Sequence, residues 1–253
     1  MQFDPTYNPF SLVGKTILIT GASSGIGRAT AIECSKLGAT CVITGRNEER
    51  LNETLSQMVG EGHQIITCDL DDSEAIETLV ESMPILNGLV NNAGFNMVAP
   101  VQFIKEEDLK KILQTNTIAP IILLQKLLKR KKISKGSSIV FTSSLAGIGI
   151  NSPGNNMYSA TKGAISAFVR NAAIDLAPRK IRVNAVCPGM VHTELTSHGI
   201  YSEEQLQENM KKYPLGRWGE PNDVAHAMVY LLSDASSWIT GTNMILDGGV
   251  SIR

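Results

Sequence analysis

Short, nearly continuous apolar runs alternate with longer amphipathic stretches along the chain. The apolar runs predict β-strands at 15–20, 40–44, 63–68, 87–92, 137–144, 181–186 and 243–249. Helical patterns lie between them, the longest at about 105–132 and 156–177. Strands that alternate with helices favour parallel βαβ units, and strands this apolar are typical of a sheet covered on both faces. The pattern therefore predicts an α/β fold: a doubly wound parallel sheet of about seven strands.

The chain of 253 residues shows no internal repeat, low-complexity tract or linker, which indicates a single domain over 1–253. One stretch departs from the compact pattern, because residues 192–220 form a long polar excursion between two core elements. A surface helix would explain this stretch. A substrate lid would explain it equally well, since long insertions in compact domains are often functional.

Composition excludes several classes of protein. The formal charge of −1 provides no general field for nucleic acid or acidic lipid. No apolar run reaches the roughly 18 residues of a membrane span, and the N-terminal residues have no apolar signal region. The four cysteines are far apart and the four histidines show no ligand spacing, so we expect buried thiols and no metal. We expect a cytoplasmic protein.

A glycine-rich turn follows the first strand. Gly21, Gly25 and Gly27 lie where the strand passes into the first helix. Glycine permits a tight turn and a close approach to a ligand, and a helix N-terminus attracts anions. The spacing is neither that of a P-loop nor GxGxxG. A pyrophosphate site is the functional interpretation, and a turn that merely needs positive φ is the alternative.

The second strand ends at Gly45 and Arg46. A fold that binds NAD usually has an acidic residue near this strand end, on the ribose 2′-hydroxyl. An arginine suits a 2′-phosphate instead, because its planar fork matches phosphate oxygens. We therefore favour NADP(H) as the cofactor. A merely solvated Arg46, with NAD(H) as the cofactor, is the alternative.

Tyr158 and Lys162 are four residues apart on a predicted helix, which places both on one face. A nearby ammonium should lower the pKa of a tyrosine from its usual value near 10. The pair could then act as a general acid or base. Considered alone, a solvated helix face explains such a pair better.

The motifs taken together resemble one family. TGASSGIG at 20–27, NNAG at 91–94, Asn116, Ser144, Tyr158 to Lys162, and Pro188-Gly189 occur in this order. This set strongly resembles the short-chain dehydrogenase/reductase family in its single-domain form, from about Gly14 to Gly249. The resemblance implies a Rossmann-like fold and a homo-oligomer, either a tetramer or a dimer.

The resemblance also implies the residues that hold the cofactor and perform the chemistry. The implied cofactor residues are Gly21, Ser23, Ser24, Gly25, Ile26, Gly27, Arg46, Asp69, Leu70, Asn91, Ala93, Gly94, Tyr158, Lys162, Pro188, Gly189, Val191 and Thr193. Among these, Asp69 and Leu70 would contact the adenine. Asn91, Ala93 and Gly94 would back the adenosine ribose and steady the central strand. Val191 and Thr193 would hold the carboxamide.

Four residues would perform the catalytic step. Tyr158 would donate the proton in reduction, and Lys162 would bind the nicotinamide ribose and lower the pKa of Tyr158. Ser144 would hold the substrate carbonyl, and Asn116 would anchor a water in a proton relay to Lys162. One departure concerns the cofactor, since Ser24 often has a basic counterpart in members that prefer NADP.

The resemblance leaves the substrate open among acyl-carrier thioesters, sugars, polyols, steroids and small ketones. Residues 219–249 are similar to 3-oxoacyl-acyl-carrier-protein reductases, although many relatives share this segment. Basic residues at helix ends could meet an acidic carrier protein or be solvated; they are Lys129, Arg130, Arg179 and Lys180. We predict an NADP(H)-dependent carbonyl reductase or alcohol dehydrogenase. The alternatives are an NAD-dependent sugar or polyol dehydrogenase, and a non-catalytic cofactor-binding protein.

Overall fold

The computed structural model describes residues 7–194 and 203–253, and its centre is one parallel sheet. The sheet has seven strands in the order β3-β2-β1-β4-β5-β6-β7. The strands are β1 (Thr16–Thr20), β2 (Thr40–Gly45), β3 (Gln64–Thr67), β4 (Leu86–Asn91), β5 (Ile133–Thr142), β6 (Arg182–Pro188) and β7 (Asn243–Leu246). The fold class and the strand number predicted from the apolar runs are confirmed.

Helices cover both faces of the sheet. They are α1 (Gly25–Lys36), α2 (Glu48–Leu55), α3 (Ser73–Ser82), α4 (Glu106–Leu113), α5 (Ala119–Lys129), α6 (Asn156–Leu176), α7 (Glu203–Met210) and α8 (Pro221–Leu232). The helical stretch predicted over 105–132 is therefore two helices, separated by a π-helical turn at Gln114–Ile118. Such turns are frequent at functional sites, and this one contains Asn116.

Two apolar layers form the core, one on each face of the sheet. In the first layer, α3, α5 and α6 contribute Leu79, Leu123 and Val169. In the second layer, α1 and α8 contribute residues such as Ala31 and Met228. Leu89 of β4 belongs to the first layer and its neighbour Val90 to the second, because successive side chains of a strand point to opposite faces. Burial on both faces explains why the strands are apolar throughout.

The chain crosses the sheet between β3 and β4, which gives the sheet a topological switch point. From β1 the chain builds outward to β3, and it then returns to place β4 on the other side of β1. In such folds ligands bind outside the carboxyl ends of the strands at this point. The loops that follow β1, β2 and β4 to β6 all meet there.

The polar excursion at 192–220 is only partly described. Residues 195–202 lie outside the described part, so the lid prediction for them is untested. After α7 the chain returns to the body of the protein, where Tyr213 and Trp218 are buried. The Tyr213 hydroxyl accepts a hydrogen bond from the Met190 backbone N–H at 3.2 Å. The end of the excursion is therefore part of the core rather than a free surface segment.

All four cysteines are free, buried thiols, as predicted. Burial raises the pKa of the Cys41 thiol to about 12 and that of Cys68 to about 11. These side chains therefore behave as small apolar groups. Over residues 7–194 and 203–253, no helix combines the length and apolar character needed to cross a membrane.

A buried hydroxyl joins the ends of β1 and β4. Thr20 is the last residue of β1, and its hydroxyl donates to the Val90 carbonyl at 3.3 Å. The same oxygen accepts hydrogen bonds from the backbone N–H groups of Asn92 and Ala93, at 3.0 and 3.1 Å. One side chain thus fixes the turn after β4 against the end of β1.

Replacing Thr20 by Val should lower the free energy of unfolding by about 1–3 kcal/mol, because the backbone N–H groups of Asn92 and Ala93 lose their buried acceptor. Urea denaturation of the ligand-free protein measures this change. Thr20→Ser keeps the hydroxyl and is the matched control, which should lose less. Equal stability of the wild type and Thr20→Val would show that the hydroxyl does not hold this junction.

Candidate active site

A cleft of about 370 Å³ opens at the carboxyl edge of the sheet, at the switch point. Most of the residues predicted to bind a cofactor line it. They are Gly21, Ser23, Ser24, Gly25, Ile26, Arg46, Asp69, Leu70, Ala93, Gly94, Tyr158, Lys162 and Thr193. Residues far apart in the sequence therefore meet in one groove.

The glycine-rich turn needs glycine for two separate reasons. Gly21 and Gly25 have φ values of +65° and +51°, which side chains rarely allow. A Cβ atom at Gly21 would lie 2.8 Å from Cα of Ala93, and one at Gly27 would overlap the carbonyl oxygen of Gly21. Gly27 therefore supports the turn from behind without lining the cleft.

The turn leaves the start of α1 open to the cleft. Ser24 is the N-cap residue, and its side chain makes no capping hydrogen bond to any described residue. The first turn of α1 contains no acidic residue. Free N–H groups and the positive end of the helix dipole together form a site for an anion. The glycine turn thus has the chemistry of a phosphate cradle.

Arg46 lies at the other end of the cleft, just beyond β2, and is exposed. Its guanidinium group has no hydrogen bond or ion pair with the described residues. The neighbouring arginines, in contrast, have partners. Arg28 donates to the Ser23 carbonyl at 2.6 Å and forms an ion pair with Glu53 at 2.8 Å. Arg50 forms an ion pair with Glu194. Arg46 is therefore the cation that is available to a ligand at this end.

Three candidate catalytic residues meet at the carboxyl end of β5. Tyr158 and Lys162 lie on one face of α6, and Nζ of Lys162 is 5.6 Å from the centre of the Tyr158 ring. Ser144 precedes a short 3₁₀ turn at Leu145–Gly147, and its hydroxyl hydrogen-bonds with Tyr158. The buried ammonium of Lys162 donates to the Thr142 carbonyl at 2.7 Å. A hydroxyl, a phenol and an ammonium are thus within reach of one another.

Comparison with known proteins identifies the family. A family model described as enoyl-(acyl carrier protein) reductase matches residues 21–251. The 3-oxoacyl-[acyl-carrier-protein] reductase of Rickettsia conorii is 37% identical over 239 residues, which cover 94% of this chain and 98% of the relative. The chain belongs to the short-chain dehydrogenase/reductase family. As a member, it is an NAD(P)-dependent oxidoreductase.

Other relatives have different names. A tropinone reductase homolog of Arabidopsis thaliana is 38% identical over 252 residues, covering 96% of this chain and 93% of the relative. A crystal structure described as a putative NAD(P)-dependent gluconate 5-dehydrogenase from Beutenbergia cavernae, with bound NADP at low occupancy, superposes with a TM-score of 0.89. It is 30% identical, and the match covers 97% of this chain and all of that chain. The relatives therefore share a reaction class, whereas their names indicate different substrates.

Burial is the main cause of the shifted pKa values of Tyr158 and Lys162 in this dehydrogenase/reductase. It raises the pKa of Tyr158 to about 12, and the hydrogen bond with Ser144 opposes this only in part. It also lowers the pKa of Lys162 to about 8. The prediction that the ammonium lowers the pKa of the tyrosine is wrong for the ligand-free protein, because burial penalises the charged form of both groups.

Asn116 braces the site from the π-helical turn. Its side-chain amide donates to the Phe95 carbonyl at 2.8 Å and to Oγ1 of Thr161 at 3.2 Å, and its oxygen accepts from the Phe95 N–H at 3.0 Å. These bonds tie the loop after β4 to α6. Gly94 allows the close approach, since a Cβ there would lie 3.0 Å from Oδ1 of Asn116. The predicted water relay stays a prediction.

Besides Gly27, four predicted cofactor residues lie away from the cleft lining. Asn91 is buried within β4, and its amide atoms have no hydrogen-bond partner in the described part of the chain. The expected contact of Asn91 with a ribose therefore stays a prediction. Val191 lines a second cavity of about 190 Å³ and bridges to Gly219. Pro188 ends β6, and the Gly189 N–H bonds to the Leu246 carbonyl at 2.9 Å.

Sequence reasoning missed three residues that build this site. Asn92 lines the cleft, and its side chain joins the Thr20 carbonyl to the Thr142 hydroxyl, at 3.2 and 3.1 Å. Thr142 supplies the carbonyl that holds Lys162. Ser143 donates to the Lys162 carbonyl at 2.9 Å and so fixes α6. The NNAG motif was the available signal for Asn92, whereas nothing in the sequence marked the backbone role of Thr142.

Lys162→Met should remove a pH dependence of stability. Lysine titrates near 10.5 in the unfolded chain and at about 8 in the folded protein. Between these values the unfolded chain binds more protons, so the free energy of unfolding of the wild type should rise with pH by on the order of 3 kcal/mol. Below pH 8 both states are protonated and the dependence vanishes.

Urea denaturation of the ligand-free wild type and Lys162→Met across this pH range measures the difference between the two. Tyr158 is present in both proteins, so its opposite effect at higher pH cancels. Lys135→Met removes an exposed lysine from the start of β5 and is the matched control. Parallel stability profiles for wild type and Lys162→Met would contradict the lowered pKa of Lys162.

Proposed function

We propose that the protein transfers a hydride between NADP(H) and a carbonyl or secondary-alcohol substrate, with Tyr158 as the acid and base. The observation that carries this proposal is the occurrence, in one cleft, of an open helix N-terminus and a tyrosine that contacts Ser144 and lies beside Lys162. The relative from Rickettsia conorii is named a reductase, and the Beutenbergia cavernae structure is described with NADP, which supports the same assignment.

The residues of the cleft fit a dinucleotide. The turn at Gly21 and Gly25 would hold the pyrophosphate at the start of α1, and Arg46 would bind the 2′-phosphate. We further propose that Asp69 and Leu70 contact the adenine and that Lys162 binds the nicotinamide ribose. Asn91, Ala93 and Gly94 would back the adenosine ribose. The backbone near Val191 and Thr193 would hold the carboxamide. Bound NADP(H) would supply or accept the hydride.

Tyr158 is protonated at neutral pH, as reduction requires, although burial makes its phenol a weaker acid than free tyrosine. With a pKa of about 12, the phenol is protonated at neutral pH and holds a proton ready for a substrate oxygen. The Ser144 hydroxyl would donate a second hydrogen bond to that oxygen. Both donors would stabilise the negative charge that develops when the carbonyl is reduced. The ammonium of Lys162 would favour the phenolate that remains, since it lies beside the ring.

The partners follow from the same proposal. We propose a small carbonyl substrate, with an acyl-carrier thioester as one form of it. Arg130 is ion-paired with Glu77 at 2.6 Å, and Arg179 donates to the Ile133 carbonyl at 2.5 Å, so a carrier protein would meet mainly Lys129 and Lys180. A cytoplasmic homo-oligomer of single-domain subunits, with 192–220 as a lid, belongs to the proposal as well.

Replacing Tyr158 by Phe should lower kcat for ketone reduction by about 10²–10⁴-fold, because the ring stays and the proton donor is lost. Loss of NADPH absorbance with a panel of ketones measures kcat. The dissociation constant of NADPH, measured by fluorescence titration, should change by less than about threefold, because an intact ring keeps the cleft shape. Tyr230→Phe on α8 is the matched control. Turnover of Tyr158→Phe near the wild-type value would refute the role.

Arg46→Asp should weaken NADPH binding by about 10–100-fold and NADH binding by much less, because only NADPH carries the 2′-phosphate. Side-by-side fluorescence titrations of both cofactors measure the two dissociation constants. Lys135→Asp reverses a charge at the opposite edge of the sheet and serves as control. Equal losses for both cofactors would support the NAD-dependent alternative instead.

A further inference from the structure

We infer that the substrate is a neutral ketone, or the matching secondary alcohol, with an apolar substituent, and that substrates bearing a carboxylate are discriminated against. This inference rests on the proposed function and narrows its substrate class. It comes from the walls that stand beside Tyr158 on the side away from the phosphate cradle.

These walls contain no formally charged side chain. Residues 92–104 follow β4, residues 143–161 follow β5 and continue into α6, and residues 183–193 cover β6 and its carboxyl end. None of the three segments contains Asp, Glu, Lys or Arg, although such residues make up 19% of the chain. A carboxylate would find no formal cation in these segments.

Hydrogen bonds hold the first two segments together next to the catalytic tyrosine. The Ala99 N–H donates to the Gly154 carbonyl at 2.8 Å, and the side-chain amide of Asn156 donates to the Ala99 carbonyl at 3.1 Å. Gly154 packs on Val98, since a Cβ there would lie 2.8 Å from Cγ1 of Val98. Asn156 begins α6 and is two residues before Tyr158. The joined segments therefore flank the start of the catalytic helix.

Apolar side chains are exposed on these walls. Val98 is 65% exposed and Ile150 is 39% exposed, and Val101 and Phe103 farther along the first segment are 71% and 68% exposed. Exposed apolar side chains on the segments that flank the catalytic helix suit an apolar substituent, because a ligand would remove them from water. The cofactor end of the cleft is charged instead, since the Arg46 guanidinium there has no partner among the described residues.

Lys162, Lys111 and Arg217 have contacts of their own, whereas Lys105, the residue directly after the first segment, is exposed. The ammonium of Lys162 bonds to the Thr142 carbonyl. Lys111 is on the exposed face of α4, 6.0 Å from the centre of the Phe95 ring. Arg217 is paired with Asp223 at 2.6 Å. His192 packs against Trp218 with ring centres 5.1 Å apart.

Neutral polar groups are present on the same walls. Asn96 and Asn155 each have a buried side-chain oxygen without a hydrogen-bond partner among the described residues. Both side chains are neutral amides, which have donors as well as acceptors and add no formal charge to the walls. The chemistry of the walls therefore accepts neutral groups, and an unpaired buried carboxylate is strongly disfavoured.

The test compares substrates that differ mainly in charge. We would measure kcat/KM with NADPH for ethyl levulinate, levulinamide and levulinate at about pH 8, where an ordinary imidazole is neutral. The ester should exceed the carboxylate by about 100-fold or more, with the amide between them. A carboxylate turned over as well as the ester would overturn the inference while the proposed function stands. No turnover of any ketone in a wider panel would overturn both.

A variant locates the discrimination. Val98→Arg should raise kcat/KM for levulinate by about 10-fold and lower that for the ester, because it places a cation on the wall. Val98→Gln is the neutral control at the same position. Ile174→Arg is the remote control, since Ile174 is 72% exposed on α6 and lies roughly 24 Å along the helix from Tyr158. Unchanged discrimination in Val98→Arg, with normal NADPH binding, would overturn the assignment of these walls to the substrate.

Discussion

The close approach of two backbones at the ends of β1 and β4 is the constraint on which the cleft depends. Gly21 lies so near Ala93 that no side chain fits between them, and the Thr20 hydroxyl binds both strand ends at the same point. This junction aims the start of α1 into the cleft. It also places the loop after β4 where Asn116 can tie it to α6. The junction between β1 and β4 thus fixes the position of the phosphate cradle relative to the catalytic helix.

The cleft divides its electrostatics between two ends. Arg46 and the start of α1 offer positive charge where phosphates would bind, whereas the walls beside Tyr158 have no formal charge. Between these ends Tyr158 is half-buried and Lys162 is buried. Burial keeps the phenol protonated and brings the pKa of the lysine to about 8. The cleft therefore distinguishes a charged cofactor from a neutral substrate by the charge and burial of its walls as much as by its shape.

Much of the site was predictable because its signals are local. The glycines at 21, 25 and 27 mark a turn that other residues cannot form, and the spacing of Tyr158 and Lys162 places both on one helix face. The omissions have a common cause. Asn91 and Asn92 are adjacent and identical in type, so the sequence could not tell that Asn92 lines the cleft while Asn91 is buried in β4. The pKa of Tyr158 depends on burial, which no spacing reveals.

The sequence by itself determined the parallel sheet, the family, the glycine turn and the tyrosine–lysine pair, because periodicity and short motifs act over a few residues. Only the tertiary structure decided that the Thr142 carbonyl holds Lys162, that Asn116 braces Phe95 and that the uncharged segments after β4 and β5 join at Ala99 and Gly154. Those contacts connect residues that are 20 to 55 positions apart. They arise from the order in which the strands assemble, which local chemistry does not encode.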